Sequence, residues 1–232
     1  MNIIGANKID LSLFGKTGLC DLYRLHVKID DINSIASNMI ISISDNCWIN
    51  KLDAVSKMSF TARAQGTVKK IVDDILSRVD NLVTSDFGEY LVSYSTQQAL
   101  STTYNHNIIP LAELWKEKVT GNPGFDFHTE SLSNLIFFGE AKYNKNQTPH
   151  TIALNQISSF IKDKKDDMEL VDLKHFVNEG SIENAVNGKR GYVAAFSLSG
   201  KDFDKMFKTA IESDAIDNLL HYPEVFLVGI EI

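Results

Sequence analysis

The sequence of 232 residues has little cysteine, and only Cys20 and Cys47 are present. Two cysteines cannot build a disulfide framework, and without a second pair they do not supply a zinc site, so we expect a reducing cytoplasm. Long apolar runs are also missing, because stretches such as 225–230 are far shorter than a membrane span. Residues 1–8 show no charged leader before an apolar segment. These absences predict a soluble cytoplasmic protein that has no membrane partner.

Basic residues are outnumbered, with 23 Lys and Arg against 30 Asp and Glu and a formal net charge of -7. A free-standing DNA binder normally relies on an excess of positive charge to neutralise phosphates. Any nucleic acid must therefore meet a local basic patch, or a basic partner subunit must hold it. The acidic excess also leaves carboxylates available for a divalent cation.

The composition, 44% apolar and 23% charged, is typical of a globular protein. Apolar residues alternate with polar ones in 22–29, which predicts a strand, and they recur at helical spacing in 65–83. Further helices are predicted at 85–100, 152–161, 169–178 and 201–213, and further strands at 190–198 and 224–231. The pattern predicts an α/β (α+β) fold with a central mixed sheet flanked by helices. We expect an N-terminal α+β extension over 1–83 and a second domain over 84–232.

Two short strands are predicted around a tight connection in the middle of the chain. A dense turn signal, Gly-Asn-Pro-Gly at 121–124, separates 111–119 from 125–128. The unbroken apolar run 135–139 then predicts a strand that is covered on both faces of the sheet.

Glu140 and Lys142 follow this buried run directly. Alternate strand residues share one face, so the two side chains point the same way, about 7 Å apart along the backbone. A hairpin turn can bring Asp126 beside them. Two converging carboxylates suit Mg²⁺ (or Mn²⁺), and a lysine held near the metal can orient or deprotonate a water and offset charge on a phosphate. The alternative is an ordinary ion pair at a sheet edge, but a lysine straight after a buried run is costly unless it is paired.

Other residues that could bind substrate or phosphate also have structural explanations. His128 lies two residues beyond Asp126 and could contact substrate, or it could be a hydrogen-bonded strand histidine. Lys116 could touch a phosphate, although exposed lysines usually do nothing specific. Gly15-Lys16-Thr17 is not a phosphate loop, because the required glycine five residues earlier is Asp10.

Asp126, thirteen intervening residues and then Glu140-Ala141-Lys142 after an apolar strand resemble the PD-(D/E)XK nuclease superfamily. More narrowly, the segments 88–89, 124–128 and 138–143 resemble the HamA-type nuclease subunit of Hachiman anti-phage defence and the similar Abp systems. The resemblance covers roughly residues 84–165.

This resemblance implies a restriction-endonuclease-like core and a Mg²⁺-dependent deoxyribonuclease that works with a helicase partner. It implies that Asp126, Glu140 and Lys142 are catalytic and that Glu89 adds a metal contact, although the helix dipole alone would explain a glutamate in a first helical turn. It also places Gln156 near the substrate. The alternatives are a catalytically silent subunit that keeps the nuclease fold and binds a helicase, and a restriction-type endonuclease that cuts at a defined sequence.

Overall fold

The computed structural model describes residues 1–75, 83–116, 124–144, 148–200 and 202–232. At residues 74 and 75 it describes the backbone only. Over these ranges the protein has a mixed α/β fold with one seven-stranded sheet, as predicted. The strands are β1 (Asn2–Lys8), β2 (Asp21–Lys28), β3 (Asn107–Ile108), β4 (Phe127–Glu130), β5 (Ile136–Lys142), β6 (Gly191–Leu198) and β7 (Glu224–Glu231).

The described helices lie between these strands in the chain. They are α1 (Ile32–Ser44), α2 (Ala54–Lys70), α3 (Ser85–Tyr104), α4 (Ala112–Trp115), α5 (Pro149–Lys162), α6 (Lys165–Leu173), α7 (Glu179–Val186), α8 (Phe203–Glu212) and α9 (Asp214–Asp217). Short 3₁₀ turns occur at Leu11–Phe14 and Ile49–Lys51, and a π-helical turn, Ile71–Ile75, continues α2. No helix in the described ranges has both the length and the apolar character needed to cross a membrane.

The sheet has the order β1-β2-β7-β6-β5-β4-β3. Strands β2, β7, β6 and β5 are mutually parallel, while β1, β4 and β3 pair antiparallel to their neighbours. Both strands of the N-terminal segment therefore belong to the same sheet as the rest of the chain. The division at residue 83 stays a prediction, and its two parts share this sheet.

The central strands are covered on both faces, which is why their sequences are almost continuously apolar. Every residue of β6 is buried. In β5, Phe137 packs against Phe226 of β7, with ring centroids 5.4 Å apart. The next residue, Phe138, points to the other face and packs against Phe125, at 5.2 Å. Phe125 in turn contacts Phe160 of α5 at 5.1 Å, so α5 covers this second face.

Segment 111–119 differs from its prediction as a strand. Residues 112–115 form the short helix α4, and 117–119 lie outside the described residues. The Leu114 N–H donates to the Leu111 carbonyl at 2.9 Å, and the Trp115 indole N–H donates to the Pro110 carbonyl at 2.8 Å. This turn buries Leu114 and Trp115 together, which an extended strand would place on opposite faces.

The predicted helix over 65–83 is confirmed as far as the described residues go, since 65–75 are helical and 76–82 lie outside them. The helix predicted from residue 85 is α3, which begins at Ser85. Thr84 is the N-cap, and its hydroxyl accepts the Phe87 N–H at 3.3 Å. The side chain of an N-cap satisfies one of the free N–H groups of the first turn.

Candidate active site

Asp126 lies one residue before β4 and is fixed against β5 by two hydrogen bonds. Its backbone N–H donates to the Gly139 carbonyl at 2.9 Å, and its carboxylate oxygen Oδ2 accepts the Ala141 N–H at 2.8 Å. The antiparallel register, which pairs Phe127 with Gly139, continues by one step to place Asp126 beside Glu140. The hairpin thus brings together the two acids that thirteen intervening residues separate in the sequence.

Glu140 and Lys142 share one face of β5, as their spacing predicts. Lys142 Nζ lies 2.7 Å from Glu140 Oε1. The Glu140 side chain is fully buried, whereas 16% of the Lys142 side chain is exposed. Glu140 Oε1 is thus paired with the ammonium group, whereas Oε2 has no hydrogen-bond partner among the described residues. A buried carboxylate oxygen without such a partner is costly, so this group has unused capacity to bind a cation.

Glu89 reaches the same end of β5 from α3. Its Oε1 lies 3.7 Å from Lys142 Nζ, and 39% of its side chain is exposed. Gly88 permits this approach, because a Cβ atom at that position would lie 2.1 Å from the ring of Tyr143. The close contact between Gly88 and Tyr143 holds the start of α3 against the end of β5.

The carboxyl groups of this site are harder to ionise than usual. Burial raises the pKa of Glu140 well above its ordinary value, and the charge of Asp126 raises it further, against the opposing charge of Lys142. Burial also raises the pKa of Asp126, which Lys142 and the Ala141 N–H offset in part. Burial likewise raises the pKa of Glu89.

The pKa of Lys142 is raised in spite of its burial. Burial works against its positive charge, but the neighbouring carboxylates of Glu140 and Asp126 outweigh this effect and raise the pKa of Lys142. Without a bound cation, the lysine is therefore the main positive charge that balances the acids.

The donor set suits a divalent cation that the protein shares with a substrate. In the described part of the chain, no group of three or more His, Cys, Asp or Glu side chains is arranged to hold a metal ion. The predicted metal contact of Glu89 stays a prediction, and its carboxylate lies beside Lys142. Mg²⁺ needs no such cage, because it commonly binds one or two carboxylates together with waters and substrate phosphates. Asp126 and Glu140, whose Oε2 has no hydrogen-bond partner among the described residues, fit that type of site.

His128 and Lys116, which were predicted as substrate contacts, both contact another side chain of the protein. Both bind Glu169 of α6: His128 Nε2 lies 2.7 Å from Glu169 Oε2, and Lys116 Nζ lies 2.5 Å from Glu169 Oε1. His128 is fully buried, so its position favours the alternative of a hydrogen-bonded strand histidine. Gln156 lies half-buried on α5, and its substrate contact stays a prediction.

Glu169 was not anticipated from the sequence. It is an acidic residue within a predicted helix, and such residues usually face solvent. Here it is buried, and although burial alone would raise its pKa, the charge of Lys116 and the contact with His128 lower the pKa of Glu169 overall. The sequence around residue 169 could have indicated this burial only through apolar residues on both sides of Glu169 on the same helix face.

Comparisons with protein-family models, with curated proteins and with solved structures find no match for this chain. The proposal for its function therefore rests on the geometry of the site and on the resemblance of its sequence motifs to the PD-(D/E)XK superfamily.

Proposed function

We propose that this protein is a Mg²⁺-dependent nuclease of the PD-(D/E)XK type that hydrolyses DNA phosphodiester bonds. The observation that carries the proposal is the meeting of Asp126, Glu140 and Lys142 at the end of β5, where Lys142 contacts Oε1 of Glu140 and Oε2 has no hydrogen-bond partner among the described residues. An ordinary ion pair of Glu140 with Lys142 would not need a second acid beside it, and Asp126 adds one that is half-buried. The site keeps two acids whose charges repel each other, as expected where a cation belongs.

Each residue has a distinct role in this proposal. Asp126 and Glu140 would hold Mg²⁺ or Mn²⁺, and the bound ion would polarise the phosphodiester and offset the charge that develops on its oxygens. Lys142 donates hydrogen bonds from the same face, where it orients the attacking water and stabilises negative charge. Glu89 holds the ammonium group of Lys142 from the side of α3.

The biological setting that we propose is an effector subunit of an anti-phage defence system that acts with a helicase partner. Support comes from the resemblance of residues 84–165 to the HamA-type subunit. The net charge of -7 is also consistent with a protein that depends on a partner to reach DNA.

A catalytically silent subunit that binds a helicase is the second candidate. The observation that favours it is the short contact between Lys142 and Glu140, which neutralises one acid in the absence of metal, together with the lack of a third carboxylate ligand among the described residues. Such a subunit would keep the fold and the partner but would not cleave DNA.

A cleavage assay with matched variants distinguishes the two candidates. The purified chain is incubated with plasmid, linear or single-stranded DNA in Mg²⁺, Mn²⁺ or EDTA. The test variant is Glu140→Gln with Lys142→Met, and the control is Glu212→Gln with Lys208→Met, which removes an exposed pair of the same residue types. Circular dichroism confirms that both variants fold.

A nuclease predicts metal-dependent cleavage that the test variant loses and the control variant keeps. Discrete fragments from a plasmid would indicate a restriction-type enzyme, whereas continuous degradation would indicate a general nuclease. Absence of cleavage by the wild-type chain with and without its helicase partner, together with intact partner binding, would favour the silent subunit.

A further inference from the structure

A network of three charged or polar side chains lies directly behind the candidate site. Glu169 Oε1 accepts the Phe125 N–H at 3.0 Å, and the same carboxylate binds Lys116 and His128. Lys116 Nζ also donates to the Phe125 carbonyl. The network therefore holds both the N–H and the C=O of the residue that precedes Asp126.

The position of Asp126 follows from this anchoring. The Phe125 carbonyl belongs to the peptide bond whose N–H is that of Asp126, and this N–H donates to the Gly139 carbonyl. One side of that peptide is thus fixed by Lys116 and the other by β5. With the backbone fixed, the Asp126 carboxylate can move only by rotation about its side-chain bonds. Its position relative to Glu140 is therefore restricted to a narrow range.

Gly124 shows how closely the network fits this segment. A Cβ atom at residue 124 would lie 2.3 Å from Glu169 Oε1 and 3.0 Å from Lys116 Nζ. A side chain at residue 124 would have to displace the ends of the Glu169 and Lys116 side chains. The glycine at position 124 therefore leaves room for Glu169 and Lys116 beside the backbone that leads to Asp126.

We propose that Glu169, together with Lys116 and His128, is a positioning residue that fixes Asp126 for binding a divalent cation. Glu169 contacts the backbone of Phe125 and acts on the cation only through Asp126. The inference rests on the proposed function, because it assigns Asp126 to a metal site. Outer partners that orient a metal ligand typically change metal affinity or activity by about 10- to 100-fold when removed.

The test measures Mn²⁺ binding to the full chain by the loss of the electron paramagnetic resonance signal of free Mn²⁺. The variants are Glu169→Ala, Glu169→Gln and Glu140→Gln. Glu130→Ala is the matched control, because Glu130 is also buried and accepts a backbone N–H, from Asn178 at 2.7 Å, but lies at the far end of β4. Glu169→Gln keeps the shape of the side chain and covers the case in which Glu169→Ala fails to fold.

We expect Glu169→Ala to weaken Mn²⁺ binding by about tenfold or more, Glu169→Gln to restore part of that loss, and Glu130→Ala to stay within about twofold of wild type. In the cleavage assay, kcat falls for Glu169→Ala while KM for DNA is unchanged, because DNA contacts are not altered. A general loss of stability would affect the Glu130 and Glu169 variants alike.

Two different failures can be told apart. If the wild-type chain binds Mn²⁺ and Glu140→Gln abolishes binding, but both Glu169 variants bind Mn²⁺ as tightly as wild type, the positioning role is wrong and the metal site stands. If the wild-type chain binds no Mn²⁺, or Glu140→Gln leaves binding unchanged, the metal site is wrong and the positioning role is overturned with it.

Discussion

Replacement of Glu140 by glutamine is expected to stabilise the metal-free protein, although it removes a residue of the candidate active site. Glu140 is fully buried and faces three charged groups, Asp126, Lys142 and Glu89. Burial and the charge of Asp126 raise its pKa, and the opposing charge of Lys142 does not cancel this rise. Glutamine keeps the shape of the side chain and removes the charge that the fold tolerates poorly.

The sign and size of the effect depend on pH. A carboxyl group whose pKa is higher in the folded than in the unfolded chain keeps a proton on folding, so stability falls as the pH rises through the interval between the two values. That interval begins near the ordinary glutamate value of about 4.3. For one proton the fall is at most about 1.4 kcal/mol per pH unit. Below this interval the Glu140→Gln variant and the wild type are expected to be nearly equal, and the advantage of the variant grows as the pH rises through it.

Urea denaturation in EDTA between about pH 5 and pH 8 measures this difference, with the exposed substitution Glu212→Gln as control. Added Mg²⁺ is expected to reduce the advantage of the Glu140→Gln variant, because the ion stabilises only the protein that binds it. A variant that is less stable than wild type at the upper end of this range, or an advantage that does not change with pH, would refute the argument from burial and repulsion.

Two further substitutions test the packing of the fold, one at a buried ion pair and one beside the site. Arg190→Met leaves the buried carboxylate of Asp166 without its ion-pair partner, and we expect the free energy of unfolding to fall by about 3–5 kcal/mol in urea titrations; a neutral result would contradict the burial of this pair. Gly88→Ala places a methyl group against the ring of Tyr143. We expect a loss of about 1–2 kcal/mol by calorimetry, because overpacking outweighs the helix propensity of alanine, and an unchanged melting temperature would show that α3 shifts freely.

The pairing of Glu140 with Lys142 was predictable from the sequence because it depends on local geometry. Two residues apart on a strand share a face, and the apolar run before them marks the strand. Asp126 was predictable for a related reason, since a turn of a few residues joins the two strands and sets their register. These relations need only short segments of the chain.

The remaining features depend on contacts between distant segments. Glu169 is buried only because α6 packs near Phe125, and no pattern around residue 169 indicates that contact. The setting of His128 follows from the same packing. Segment 112–115 has short apolar spacing that fits a strand or a helix, and the burial of Trp115 beside Leu114 decides for the helix. Strands β2 and β7 were both predicted from their patterns, but the sequence analysis did not predict that β7 is the parallel partner of β2.

That partner, β7, joins β2 to the other parallel strands, and a ribosome makes it after every other strand of the sheet. Asp21 of β2 pairs with Glu224 of β7, and at about 5–20 residues per second β2 waits roughly 10–40 s for it. During this time β1 covers one edge of β2, while the other edge presents free backbone groups that can pair with another nascent chain. We therefore expect mispairing of β2 to be most frequent while the segment between β2 and β7 is being synthesised.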